Sequence, residues 1–133
     1  MTDLTASMPS PMLWTGRVFS GLFGLFMAMD VVLKLIGVPQ VAQTLREMGW
    51  PGDYGFGIGV MELVFVVLYF IPRTSVLGAV LMPGVLGGAV ASHVRIADPL
   101  FSHILFGVYL GLFMWGGLWL RSPGLRAIFP YAR

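Results

Sequence analysis

Long apolar runs broken by short polar links set the rhythm of this chain. Val18 to Met29 carries no charge; Asp30 and Lys34 follow, and Pro39 blocks a smooth continuation of the helix. The next run, from Tyr54 to Ile71, has one charge, Glu62, and ends at Pro72-Arg73. A third is uncharged up to His93, with Pro83 marking a candidate kink, and a fourth carries only His103. Helices are predicted over about residues 12–37, 54–71, 74–94 and 100–120. Each approaches the ~20 residues that cross a hydrocarbon core. A soluble bundle is the rival, but soluble helices keep a polar face, and the third and fourth runs show none.

A helix of another kind is predicted over about residues 39–48. Val38, Val41, Ala42, Leu45 and Met48 share one face, and Gln40, Gln43, Arg46 and Glu47 lie mostly opposite. Pro39 suits a first helical position and Gly49 a C-terminal cap. At ~15 Å it is too short to span and is expected to lie in the interface, followed by Trp50 at headgroup level. The expected fold is all-α: one domain over residues 1–133, an integral membrane four-helix bundle with this interfacial helix between helices 1 and 2.

Composition agrees. Hydrophobic residues make up 57% and charged residues 11%, against about 25% charged in soluble domains. Mean hydropathy is +0.86. A soluble protein with this surface would aggregate, and lipid is the simpler solvent. The net charge of +2 comes from scattered residues with no aromatic-plus-basic stripe, so no nucleic-acid partner is expected. There are no cysteines, which excludes disulfides and thiolate metal sites within the chain.

Met1 to Pro11 has one charge, Asp3, and it is negative, unlike a secretory n-region, so the first apolar run is read as a retained helix. Arg17, Arg73, Arg121, Arg126 and Arg133 fall on one side of the membrane and Lys34, Arg46 and Arg95 on the other. That bias places both termini in the cytoplasm.

Ionisable residues within apolar spans are costly and mark function or pairing. Asp30 and Lys34 end the first span, His93 and Arg95 end the third, and Asp98, Ser102 and His103 open the fourth, all toward one membrane face. Glu62 lies ~12 Å below it. Asp30 and Lys34 share a helix face at i, i+4. Glu62 follows Gly55 and Gly59, His103 precedes Gly107 and Gly111, and Arg95 continues a stripe of Gly84, Gly87, Gly88 and Ala91. Small residues at such spacing mark helix-packing faces, so these polar groups are expected to line one inward cavity.

Plainer roles exist for each. Asp30 and Lys34 can simply neutralise one another, Asp98 reads as a loop charge, and His93 can bond a helix-end carbonyl. Tyr54, Tyr69, Tyr109 and the tryptophans read as interface belts. Glu62 resists a plain reading, because a mid-span carboxylate must be paired or protonated. No metal is expected: ligand spacing is absent, and Lys34 and Arg95 would oppose a cation. Ser92 beside His93 does not make a nucleophilic triad.

With these residues in view the chain resembles the DoxX-like family of small bacterial membrane proteins. The stretches that carry the resemblance are Phe26-Met-Ala-Met-Asp30 with Lys34, Gly59-Val-Met-Glu62-Leu63, Leu68-Tyr-Phe-Ile-Pro72-Arg73-Thr74 and Gly87-Gly-Ala-Val-Ala-Ser-His93-Val-Arg95. Pro99-Leu-Phe-Ser-His103, Tyr109 and Trp115-Gly-Gly complete it. The resemblance implies a four-helix membrane bundle in the bacterial inner membrane. It also implies that Asp30, Lys34, Glu62, His93, Arg95 and His103 belong to a shared pattern. Gly107 departs from it where proline is expected, which would loosen the fourth helix below His103.

The leading expectation is a polar intramembrane pocket for a small lipophilic or quinone-like molecule, within a redox or detoxification system. Lys34, His93 and Arg95 would bind the ligand and Glu62 would exchange protons. One alternative is an enzyme in which Glu62 or Asp30 works with His103 in acid–base isomerisation or hydration of a lipid-soluble substrate. Another is a non-catalytic assembly factor. Quinone is the one cofactor considered. The partners expected are the lipid bilayer, the ligand, and either further copies in a homo-oligomer or a redox subunit. No inverted repeat points to a transporter.

Overall fold

A computed structural model describes residues 10–132. Asp3 and Arg133, which entered the charge reading, lie outside them. The described chain is helical: α1 Ser10–Ile36, α2 Pro39–Glu47, a 3₁₀ turn Gly52–Tyr54, α3 Gly55–Phe70, α4 Ser75–Arg95, a π-helical turn Leu100–Ile104, α5 Phe106–Arg121 and α6 Pro123–Ile128. Four segments are long and apolar enough to cross a membrane: Pro11–Ile36, Gly52–Phe70, Ser75–Arg95 and Leu100–Arg121. α1 packs on α3 and α5, and α4 packs on the same two, so the order around the bundle is α1, α3, α4, α5. α4 runs unbroken through Pro83. The tail, read from sequence only as charged, contains α6, with Ser122 accepting a hydrogen bond from the Leu125 amide (3.2 Å) as its N-cap.

The faces of α1 show why its apolar run has no obvious amphipathic signal. Trp14, Val18, Leu22, Leu25, Met29, Val32 and Ile36 form one exposed stripe, all apolar. The opposite stripe, Gly16, Ser20, Phe23, Met27 and Val31, is buried and of mixed character. Lipid takes the first face; the second joins a core with Tyr69, Ala79, Met82, Leu86, Leu110, Met114 and Leu118. Between helices in lipid there is little hydrophobic drive, so close approach and interhelical hydrogen bonds hold the bundle. A methyl group at Gly78 would lie 2.8 Å from the Phe65 carbonyl oxygen, and one at Gly16 would lie 2.9 Å from that of Gly117. At Gly107 it would lie 2.8 Å from the Leu86 carbonyl oxygen. The glycine expected to loosen the fourth helix instead lets α5 meet the α4 backbone.

A hydrogen-bonded relay crosses the end of the bundle away from α2. Arg121 Nε donates to Ser20 Oγ (3.2 Å), Ser20 Oγ donates to the Tyr69 hydroxyl oxygen (2.8 Å), and Tyr69 donates to the Met114 carbonyl (2.6 Å). Tyr69 is fully buried, which overturns its reading as an interface-belt residue. The tail charge Arg126 caps α5, its Nη1 donating to the carbonyls of Trp119 (2.9 Å) and Leu120 (3.0 Å).

Candidate functional site

Three helix ends at the opposite face are closed by the same device. The chain leaves α1, α2 and α4 through a residue of positive φ: Gly37 (73°), Gly49 (88°) and Ala97 (56°). In each, the following amide returns to a carbonyl five residues back: Val38 to Leu33 (3.3 Å), Trp50 to Leu45 (2.8 Å), Asp98 to His93 (3.1 Å). This is the Schellman closure, which folds the next side chain back over the helix end. Thus Trp50 and Asp98 are turned toward α4.

Lys34 is the hub below these ends. Its Nζ donates to Asp30 Oδ2 (2.6 Å) one turn earlier and to Glu62 Oε1 (2.7 Å) on α3. Glu62 is 2% exposed, and its Oε2 has no hydrogen-bond partner among the described residues. The approach of α1 to α3 that permits this depends on Gly59, where a methyl would lie 2.8 Å from Lys34 Cβ. One cation therefore faces two carboxylates and gives them two of its three ammonium protons, a part-buried arrangement in which each polar atom left over is costly.

Above the hub lies a cavity of about 610 Å³. α1 contributes Asp30 and Lys34 to its wall, α3 contributes Met61 and Glu62, and α4 contributes Gly84, Gly88, Ser92 and His93. His103 and Gly107 close it from the last span, and Val41, Thr44 and Leu45 of α2, with Met48 at its C-cap, lie across it. The volume lies within the range of small-molecule sites. α2 is held there by Leu45, which is buried, and by two bonds to α4: Trp50 Nε1 to Ser92 Oγ (3.0 Å) and Arg95 Nη1 to the Met48 carbonyl (3.0 Å).

The six residues singled out in the sequence divide in this geometry. Asp30, Lys34, Glu62, His93 and His103 border the cavity. Arg95 does not: its guanidinium sits on Gly49 and caps the C-terminus of α2, where a cation complements the helix dipole. His103 is exposed at the rim, its Nδ1 on Ser102 Oγ (2.8 Å) and its ring 5.8 Å from that of His93. Asp98, read as a loop charge, is hydrogen-bonded through Oδ2 to His93 Nδ1. The five-residue spacing across a helix end was the available signal, and it was obscured because Ala97 is not the glycine that usually marks such a turn. Ser92 and Trp50 were likewise missed as a pair.

The small-residue stripes also divide. Gly55 packs against Val41 and Gly59 against Lys34 and Leu35. On α4, however, Gly84, Gly87 and Gly88 are exposed, and a methyl on any of them would meet nothing within 4 Å. That stripe is not a packing face of this bundle.

Four apolar spans around a common core define a multi-pass helical membrane protein. The model of the DoxX-like family matches residues 18–117, most of the chain, and the chain belongs to that family. No curated protein and no solved structure matches it.

Proposed function

We propose that the cavity binds a small lipophilic molecule of the quinone type, with a polar head at the Asp30–Lys34–Glu62 hub, as the membrane component of a redox or detoxification system. The observation that carries this reading is the coincidence of a ligand-sized cavity with a buried carboxylate, Glu62, whose second oxygen has no partner among the described residues. A buried polar atom without a partner is retained where something else completes it. His93 and His103 add imidazole edges at the rim. The same reading places the protein in the bacterial inner membrane with both termini cytoplasmic. Strong alkaline phosphatase activity from a fusion at Arg133 would contradict that orientation.

The test is purification in mild detergent and mass spectrometry of retained small molecules, for the parent, Glu62→Gln and His103→Ala. A compound retained by the parent and lost from folded variants supports the pocket. If neither variant folds and no compound is ever retained, the charges only hold the bundle together.

One observation favours a catalytic second reading. Asp98 orients His93 through Nδ1, and Nε2 of that ring has no partner among the described residues, the arrangement of a carboxylate-positioned general base. Turnover of the retained compound by the parent alone, abolished in Asp98→Asn, would establish it.

A further inference from the structure

The wall of the cavity is incomplete on one side. α3 and α4 touch closely next to the tight turn that joins them, where Gly78 meets the backbone of Phe65 and Tyr69. Farther from the turn they part. Gly84 and Gly88 border the cavity, are exposed, and have no neighbour within 4 Å where a side chain would project. Met61 on α3 is 40% exposed and borders the same cavity. These positions are mid-span, so the gap opens to hydrocarbon and not to water.

The inner end has an equally definite chemistry. Lys34 is the one cation at the hub, and it already serves both Asp30 and Glu62. Arg95 is occupied on α2. What remains on the Glu62 side is acceptor capacity, because its Oε2 has no partner among the described residues. An anionic head would meet like charge, and a head with acceptors alone, an oxidised quinone included, would leave Oε2 unsatisfied, so within the quinone type the reduced, hydroxyl-bearing form is the one that fits.

We propose, on the basis of the binding reading above, that the ligand is a bilayer-dissolved amphiphile whose head is a hydrogen-bond donor, a hydroxyl, placed against Glu62, and whose hydrocarbon tail lies in the gap between α3 and α4 beside Gly84 and Gly88. Entry is lateral, from the lipid, with α2 closing the aqueous side.

The experiment measures saturable binding of three radiolabelled probes to the protein in phosphatidylcholine nanodiscs: a long-chain alkanol, its methyl ether, and the fatty carboxylate of equal length. The parent is expected to prefer the alkanol by about tenfold or more, the worth of one hydrogen bond to a charged acceptor. In Glu62→Gln the amide oxygen stays on Lys34 and the amide nitrogen takes the place of Oε2, so the alkanol preference disappears or reverses toward the ether. Gly84→Leu and Gly88→Leu, which meet open space, weaken the alkanol several-fold. Gly21→Leu, equally open but remote from the cavity, leaves it unchanged. Equal binding of alkanol and ether, still weakened by Gly84→Leu, overturns the donor head and leaves the pocket standing. Alkanol binding indifferent to both portal variants overturns the lateral gap. Absence of saturable binding by every probe overturns this inference and the binding reading together.

Discussion

Tyr69 on α3 donates its hydroxyl proton to the Met114 carbonyl on α5 at 2.6 Å, with the tyrosine fully buried. The bond joins two helices that face each other diagonally across the bundle. Tyr69→Phe leaves Ser20 and the Met114 carbonyl without this partner. A loss of about 1 kcal/mol is expected, typical of one interhelical bond in a membrane protein. Thermal unfolding in detergent measures it. Ligand retention, at the other end of the bundle, is expected to be unaffected.

Lys34 holds two carboxylates, so removing it is expected to harm more than removing one of them with it. Lys34→Met leaves buried Glu62 beside Asp30 without a cation, a loss of about 3 kcal/mol by analogy with other buried pairs broken on one side. Lys34→Met combined with Glu62→Leu is expected to recover part of it. A double variant less stable than Lys34→Met alone, by chemical unfolding, would refute this account of the hub.

Arg95 caps α2 from outside the cavity, so Arg95→Gln is expected to loosen the lid and spare the spans. Hydrogen exchange would rise over residues 39–49 and stay unchanged in α3 and α5. The relative affinities of the alkanol and ether probes would also be preserved. A changed preference would mean that Arg95 contacts the ligand.

Ala97 occupies the left-handed region at φ 56°, where a side chain costs about 1 kcal/mol that glycine does not. Ala97→Gly is expected to raise the melting temperature while keeping Asp98 on His93. A lowered melting temperature would show that the turn carries no strain.

Much of the architecture was legible in one dimension. Uncharged runs of span length, Pro39 and Gly49 around a short amphipathic segment, and Pro72-Arg73 at a turn are local properties, and lipid permits few folds that satisfy every backbone group within such runs. The i, i+4 pairing of Asp30 with Lys34 follows from helix geometry alone. That His93 and His103 lie toward one membrane face, with Glu62 about 12 Å below it, follows from counting residues along alternating spans. What the chain could not disclose is direction around each helix, because in lipid both faces are apolar and the periodic signal that orients a soluble helix is missing. Glycine stripes do not resolve it: Gly59 and Gly107 are pressed against neighbours, whereas Gly84 and Gly88 are open. Contacts between distant segments decided the rest. Tyr69 became a buried strut because Ser20 and Met114 flank it, and Arg95 became a cap because α2 ends beneath it. Asp98 became the partner of His93 because a left-handed alanine turns the chain back on itself.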